Sequence, residues 1–288
     1  MATAIARVWC VFKLRIGLAI MLCALAGLAL MPGPGLPGWK IAVLALAVLL
    51  SAASAGAFNQ YVERDLDARM ARTRDRPFAT GAFKAGPLWL ISILGILAVA
   101  VGLAAWTFNA AVALHVFLGA FTYGVVYTIW LKNRTWLNIV LGGLAGSFAV
   151  LAGASAVDPS LAAAPIVLAA VLFLWTPPHF WSLATALHEE YAAARVPMLP
   201  VVVGDALAAK VILAHTVALV GLSLVPAALG MGWIYLAGAA AGGGYFIVKS
   251  VELVKSPGPK AAMANFFASL AQLGVLLLAA IADRAVLG

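Results

Sequence analysis

An amide and two carboxylates recur at helical spacing in the first quarter of the chain. Asn59, Glu63 and Asp67 lie four residues apart, so on one continuous helix their side chains would form a single stripe. Carboxylates on one stripe repel each other unless a cation lies between them. Mg²⁺ takes oxygen ligands and is typically held by one or two carboxylates, several waters and substrate phosphates. The spacing therefore predicts a magnesium site at these three residues.

Four arginines follow these acids directly. Guanidinium groups bind phosphate oxygens in bidentate fashion, and the candidates are Arg69, Arg72, Arg74 and Arg76. Oxygen ligands for a metal next to guanidinium groups for phosphate predict a site for a magnesium-bound diphosphate. The alternative for the arginines is a cap at a membrane surface, which balances nearby acids and sets the topology.

A second polar cluster, about 110 residues further along, contains a histidine inside an apolar segment. We expect Pro177 and Pro178 to interrupt the helix there, because each proline removes one backbone hydrogen bond, and His179 follows at once. An ionisable group at membrane depth is by default a functional candidate. The alternative is a neutral imidazole bonded to a carbonyl that the prolines free. Glu189 and Glu190 are expected to form a second metal-binding edge, with Glu190 sharing a cavity with His179.

The composition determines which elements can position these residues. The 288 residues are 65% hydrophobic and 10% charged, whereas an average soluble domain is about 45–50% apolar and about 25% charged. A soluble chain must cover its surface with polar groups, so a soluble globular domain, a disordered chain and a nucleic-acid-binding domain are excluded. The net charge of +8 is typical of cytoplasmic loops rich in Lys and Arg.

Nine stretches are long and apolar enough to cross a bilayer as helices of about 20 residues. They lie near residues 11–31, 40–61, 86–106, 109–131, 136–156, 161–185, 208–229, 232–254 and 264–284. The sequence therefore predicts an all-α polytopic membrane protein that forms one domain over residues 1–288.

The distribution of basic residues predicts the orientation of these spans. With the N-terminus in the cytoplasm, 16 of the 18 basic residues lie on the cytoplasmic side, and only Lys40 and Arg284 lie outside. Eight of the 10 acids also lie on the cytoplasmic side, six of them in the loops after the second and sixth spans. Both polar clusters are therefore expected at the cytoplasmic face.

The second and sixth spans are four helices apart and run in the same direction. Both end in acids, and both precede a loop with arginine and proline, Arg76-Pro77 and Arg195-Val-Pro197. This predicts a four-plus-four repeat with a ninth helix appended, in a bundle around a central cavity. The interface between repeats is a usual position for a membrane-embedded site.

Two segments resemble the signatures of a known family. The string from Asn59 to Pro77, which opens Asn-x-x-x-acid-x-x-x-Asp, is similar to the first signature of the UbiA-type intramembrane prenyltransferases. Trp175-Thr-Pro-Pro-His-Phe-Trp-Ser, followed by Val196-Pro-Met-Leu-Pro-Val-Val, is similar to the second signature of the heme-farnesylating branch. The resemblance covers essentially the whole chain. It departs from the branch at Glu63 and Glu189-Glu190, where Asp is frequent, and at Leu14, where Pro is frequent.

The resemblance implies transfer of a farnesyl group from farnesyl diphosphate to a vinyl group of heme b, with Mg²⁺ as cofactor and heme O as product. It implies diphosphate contacts from the four arginines together with Lys13 and Arg15, the latter two being equally well explained as topology anchors. The metal ligands would be Asn59, Glu63, Asp67, Glu189 and Glu190, and the catalytic residues Asn59, Glu63, Asp67, His179 and Glu190.

The implied location is the bacterial cytoplasmic (inner) membrane. The implied partners are the two substrates, the lipid bilayer and, among proteins, heme A synthase or a terminal oxidase, with no nucleic acid. The resemblance alone does not say whether His179 ligates the heme iron or contacts a propionate.

Other functions remain open from the sequence. A sister prenyltransferase would act on an aromatic or quinone precursor, and the segments at Trp175 and Pro197 argue against it. A secondary transporter would use the repeat, an interrupted sixth span and His179, but the acids cluster at one face instead of following a path across the bilayer. A structural subunit of an oxidase would tolerate the loss of Asp67 and His179.

Overall fold

The computed structural model describes residues 4–287, and within that range the chain is helical, with no strand. In chain order the elements are α1 (Ala4–Val11), α2 (Leu14–Ala29), α3 (Gly38–Val62), α4 (Arg64–Asp67), α5 (Pro87–Thr107), α6 (Ala110–Phe121), a π-helical segment (Thr122–Leu131), α7 (Asn138–Gly142), α8 (Leu144–Ser155), α9 (Ala163–Ala186), α10 (His188–Ala193), α11 (Leu199–Val203), α12 (Asp205–Ala228), α13 (Trp233–Lys255) and α14 (Pro259–Leu287).

The helices form a bundle of apolar spans. Among the described residues, eight spans are long and apolar enough to cross a membrane, and the bent pair α1–α2 is the ninth candidate. The most extensive contacts between helices are those of α13 with α14, α12 with α9, α2 with α8, and α3 with α5. The prediction of an all-α protein with multiple membrane spans is confirmed, whereas the four-plus-four-plus-one repeat stays a prediction.

The first span differs from its predicted form because it is broken near its start. The axes of α1 and α2 differ by 47°, and Lys13 between them has a left-handed backbone with φ of 48°. That conformation is uncommon for a residue with a side chain. The break packs against α3 at Gly56, where an added Cβ would lie 3.1 Å from Lys13 Cβ and 3.3 Å from Phe12 O. The absence of a side chain at Gly56 therefore lets Lys13 approach α3 closely.

The predicted interruption of the sixth span was wrong. Helix α9 runs from Ala163 to Ala186 with Pro177 and Pro178 inside it. The two prolines remove two hydrogen-bond donors, but the proline φ near −65° is compatible with a helix, and α9 is packed against α8, α12 and α14. The chain leaves helical geometry only at Leu187, with φ of −117° and ψ of 34°, after which α10 begins.

A chain of buried polar side chains joins the helices of the C-terminal half. Asn265 Nδ2 donates a hydrogen bond to Ser182 Oγ at 2.9 Å, and Asn265 Oδ1 lies 3.0 Å from Ser250 Oγ. Ser250 Oγ also lies 3.1 Å from Thr216 Oγ1. Unpaired polar groups are costly in hydrocarbon, so these contacts fix the mutual positions of α9, α12, α13 and α14, the side of the bundle that carries His179.

Helices α2 and α8 touch through glycine. A Cβ added at Gly153 would collide with the carbonyl oxygen of Ala24, and one added at Gly27 would collide with the carbonyl of Val150. Small residues allow such backbone contact between membrane helices, where close packing replaces the hydrophobic driving force. These two glycines therefore set the distance between two helices that wall the central cavity.

Gly153→Ala is expected to separate α2 from α8 and to lower the free energy of unfolding by about 1–3 kcal/mol, as overpacking does. Thermal unfolding of the purified protein in detergent measures this effect. The matched control is Gly244→Ala in α13, where an added Cβ has no atom within 4 Å, so its stability should be unchanged or higher. Equal midpoints for Gly153→Ala and the unsubstituted protein would contradict the packing argument.

Candidate active site

The predicted stripe of oxygen ligands continues past the end of α3. The backbone N–H of Glu63 donates to Asn59 O at 2.9 Å, and that of Asp67 donates to Glu63 O at 2.7 Å. The four-residue hydrogen-bond register thus continues from α3 into α4 although Glu63 itself is not helical. Asn59, Glu63 and Asp67 are exposed by only 2%, 6% and 3%, so all three face the interior.

Each residue of the stripe accepts a hydrogen bond from one basic side chain. Lys13 Nζ donates to Asn59 Oδ1, Lys132 Nζ donates to Glu63 Oε2 at 2.5 Å, and Arg76 Nη1 lies 2.9 Å from both carboxylate oxygens of Asp67. A buried carboxylate without a cation is strongly disfavoured. The pairs with Lys132 and Arg76 therefore compensate the negative charge of the two buried carboxylates.

The stripe formed by Asn59, Glu63 and Asp67, here called the oxygen stripe, fits a hard divalent cation. Its donors are one amide oxygen and two carboxylates, the ligand types that Mg²⁺ prefers. Glu63 Oε1 is buried and has no hydrogen-bond partner, so one ligand position is open. No three His, Cys, Asp or Glu side chains are grouped for a metal anywhere in residues 4–287, so the remaining ligands of such an ion would be waters and phosphate oxygens.

The predicted phosphate-binding residues lie in three different places. Arg69, Arg72 and Arg74 are exposed beyond α4, whereas Arg76 is committed to Asp67. Lys13 lies at the head of the central cavity, where its Nζ also donates to Tyr123 Oη at 2.9 Å.

The second acidic edge is only partly joined to the first. Glu190 Oε2 accepts from the backbone N–H of Arg72 at 3.5 Å, so the two loops are neighbours. Burial raises the pKa of the nearby Tyr191 hydroxyl, and the Arg72 guanidinium opposes that shift. Glu189 is exposed. The structure therefore brings Glu190, but not Glu189, against the arginine loop.

The expectation that Glu190 shares a cavity with His179 was wrong. Because the chain turns at Leu187, Glu190 does not continue the His179 face of α9. Glu189 and Glu190 instead line a separate surface cavity of about 540 Å³ with His188 and Asp205, whose side chains are 2.8 Å apart.

A largely apolar cavity of about 410 Å³ extends into the bundle from Lys13, whose Nζ contacts Asn59 of the oxygen stripe. Lys13, Arg15 and Tyr123 line its polar end, and His179 lines its wall deeper between the helices. Small residues of α7 and α8, with the residue between them, provide much of the space: Gly142, Gly143, Ala145, Gly146, Ala149 and Ala152. One cavity therefore runs from Lys13 and Arg15, two of the predicted diphosphate contacts, to the predicted histidine.

His179 is held in a fixed orientation. Its ring stacks on Trp175 at 4.3 Å and on Phe266 at 4.5 Å between centroids. Its Nδ1 lies 2.7 Å from Ser269 Oγ, so its partner is a hydroxyl on α14 and not a carbonyl freed by the prolines.

Three contacts of the site were not assigned from the sequence. The sequence indicates only that Lys132 is a basic residue of a cytoplasmic loop, whereas in the structure it pairs with Glu63. Thr128 Oγ1 accepts from Asn59 Nδ2 at 2.9 Å, and Tyr123 accepts from Lys13. All three come from the π-helical segment or the residue after it, and such segments are frequent at functional sites. Because the three contacts span 69 to 110 residues, no local pattern indicates them.

The helical bundle, with a stripe of buried oxygen ligands beside an apolar cavity, defines a membrane-embedded group-transfer enzyme. The chain belongs to the UbiA prenyltransferase family, whose sequence model matches residues 20–272. Within that family its sequence groups with the protoheme IX farnesyltransferases. It is 59% identical over 96% of both chains to Protoheme IX farnesyltransferase 2 of Paramagnetospirillum magneticum. It is 46% identical to Protoheme IX farnesyltransferase 1 of the same organism, over 94% of this chain and 96% of that one.

Solved structures share the fold. A structure described as digeranylgeranylglyceryl phosphate synthase has a TM-score of 0.79 at 17% identity, with 97% of this chain and 98% of that chain covered. A UbiA homolog from Archaeoglobus fulgidus bound to DMAPP and Mg²⁺ has a TM-score of 0.72 at 16% identity, with 97% and 99% covered.

Lys132→Met is expected to destabilise the protein by about 3–5 kcal/mol, because it leaves Glu63 buried without its cation. Adding Glu63→Gln should restore part of that loss, since the unpaired charge is then removed. A double-mutant cycle on thermal unfolding in detergent measures the coupling. Additive effects of the two substitutions would contradict the pairing.

Proposed function

We propose that this chain transfers a farnesyl group from farnesyl diphosphate to a vinyl group of heme b, forming heme O. The observation that carries the proposal is the single cavity that joins Lys13, beside the oxygen stripe, to His179 between the helices. The names of relatives that are 59% and 46% identical over nearly the whole chain support the same activity.

The proposed diphosphate site is the oxygen stripe with its three bases. Asn59, Glu63 and Asp67 would hold Mg²⁺, and Lys13, Arg76 and Lys132 would then turn from these oxygens to the phosphates. When bound, Mg²⁺ neutralises the charge that develops on the departing diphosphate. A UbiA homolog bound to DMAPP and Mg²⁺ supports this class of ligand. Arg69, Arg72 and Arg74 add cationic charge at the entrance, and Arg15 adds it at the cavity. The carboxylate of Glu190 lies on the opposite loop, against Arg72.

The apolar cavity serves the chemical step by excluding water. The bond between C1 of the farnesyl group and the diphosphate oxygen breaks, and its electron pair leaves with the diphosphate. The π electrons of the vinyl group form the new carbon–carbon bond, and one water then adds to the resulting cation and loses a proton. Exclusion of other water from the allylic cation prevents its early capture. The ring of Tyr123 lies beside Lys13 at the polar end of the cavity, where this cation would form, and it stacks on the ring of Tyr127 at 5.5 Å.

The proposed setting is the cytoplasmic membrane of a bacterium, with the whole chain as one domain. The N-terminus and the active site would face the cytoplasm, because the oxygen stripe lies at the end of the bundle that carries most Lys and Arg. Arg284, which is assigned outside, contacts the carbonyl of Gly33 at the opposite end. The product would then pass to heme A synthase or to a terminal oxidase.

The activity is tested by incubating the purified protein in lipid with heme b, farnesyl diphosphate and Mg²⁺, then extracting the hemes for mass spectrometry. We expect a heme heavier by a farnesyl group plus a hydroxyl group, and we expect EDTA to abolish its formation. Farnesyl transfer to an aromatic acid with none to heme would instead establish the sister activity. Solute uptake by proteoliposomes without any prenyl product would indicate a transporter.

Asp67→Asn is expected to lower turnover at least about 100-fold, because it removes a carboxylate that stabilises charge in the transition state through the metal. The matched control is Asp65→Asn on the same short helix, whose side chain is 84% exposed and should be dispensable. Both variants should be checked for folding by size-exclusion chromatography. Normal turnover of folded Asp67→Asn would overturn the metal assignment.

A further inference from the structure

One serine of α14 holds the histidine of the cavity. Ser269 is fully buried, and its Oγ lies 2.7 Å from His179 Nδ1 and 2.6 Å from the carbonyl oxygen of Phe266. The carbonyl of the same serine accepts a hydrogen bond at 3.0 Å from Nε1 of Trp175, the ring on which His179 stacks. A single residue therefore restrains both rings.

The proton count at Ser269 determines the tautomer of His179. A carbonyl oxygen can only accept, so the single hydroxyl proton of Ser269 lies on the 2.6 Å contact with Phe266 O. The hydroxyl oxygen must then accept from His179 Nδ1, which therefore carries a proton. In a neutral imidazole the other nitrogen, Nε2, then carries the lone pair.

The surroundings of His179 direct that lone pair into the cavity. Trp175 and Phe266 cover the two faces of the ring with interplanar angles of 17° and 24°, so only the edge is accessible. His179 lines the cavity. Within residues 4–287, Nε2 has no hydrogen-bond partner, and it is not among the unpartnered buried atoms that are sealed from solvent.

We propose that Ser269 is a positioning residue that presents Nε2 of His179 to the iron of the heme acceptor as an axial ligand. This proposal rests on the proposed function, since it takes heme b as the acceptor. A neutral imidazole is the most frequent protein ligand of heme iron. Metal-binding histidines almost always donate their other N–H to a fixed acceptor, and loss of that acceptor typically costs about 10–100-fold in metal affinity. The axial bond would anchor the macrocycle at α9, in the cavity whose polar end is lined by Lys13 of the proposed diphosphate site.

The test is a titration of heme b into the purified full-length protein, monitored by its absorption spectrum. Ser269→Ala keeps the backbone carbonyl that holds Trp175 and removes only the hydroxyl. We expect its heme affinity to fall about 10–100-fold, with a loss of the spectrum of imidazole-ligated iron and an unchanged affinity for farnesyl diphosphate. The matched control is Ser223→Ala, a fully buried serine whose hydroxyl bonds only Val220 O of its own helix, and its heme spectrum should not change.

A second variant tests the iron bond itself. His179→Ala should lose the imidazole-ligated spectrum, and added imidazole should restore it, because the vacated space opens on the cavity. An unchanged spectrum in His179→Ala would overturn the iron assignment. Unchanged heme affinity and spectrum in Ser269→Ala, with both altered in His179→Ala, would overturn the role of Ser269. Failure of the unsubstituted protein to bind heme b would instead overturn the acceptor, and with it the proposed function.

Discussion

Charge compensation at the mouth of the bundle is the constraint on which the rest of the structure depends. Two carboxylates and an amide are buried where α3 leaves the membrane, and each is paired with a base from a different part of the chain. A buried carboxylate is tolerated only with a cation or several donors around it. The break before α2, the loop after α4 and the end of the π-helical segment must therefore all converge on one point.

The same arrangement would let the proposed site hold both a metal ion and a phosphate group. The basic side chains contact the same oxygens that a divalent cation would bind. These basic side chains are long and flexible. A cation arriving with a diphosphate supplies positive charge to the carboxylates and negative charge to the bases. The proposed exchange would therefore keep the charges paired throughout. The oxygen Oε1 of Glu63, which is buried without a hydrogen-bond partner, is one atom that a metal ion would bind.

Small residues produce the cavity in which this chemistry is proposed to occur. Glycine contacts bring α2 and α8 together, while glycine and alanine on the inner face of α8 leave the space that larger side chains would fill. Close contact on one face and empty volume on the other have the same cause, the absence of side-chain atoms. The aromatic and polar contacts around His179 then give this otherwise apolar volume one oriented polar group.

The local patterns of the sequence were sufficient for the helices and for part of the site. Runs of apolar residues predicted nine spans because a bilayer selects length and hydrophobicity, and the spacing of Asn59, Glu63 and Asp67 predicted one buried stripe because a helix repeats every 3.6 residues. Three features were decided by the tertiary structure alone. Lys132 pairs with Glu63, Glu190 is separated from the cavity of His179, and α9 continues unbroken through two prolines. These depend on contacts between residues far apart in the chain, where the packing of neighbouring helices outweighs local preference, and no periodicity within one segment encodes them.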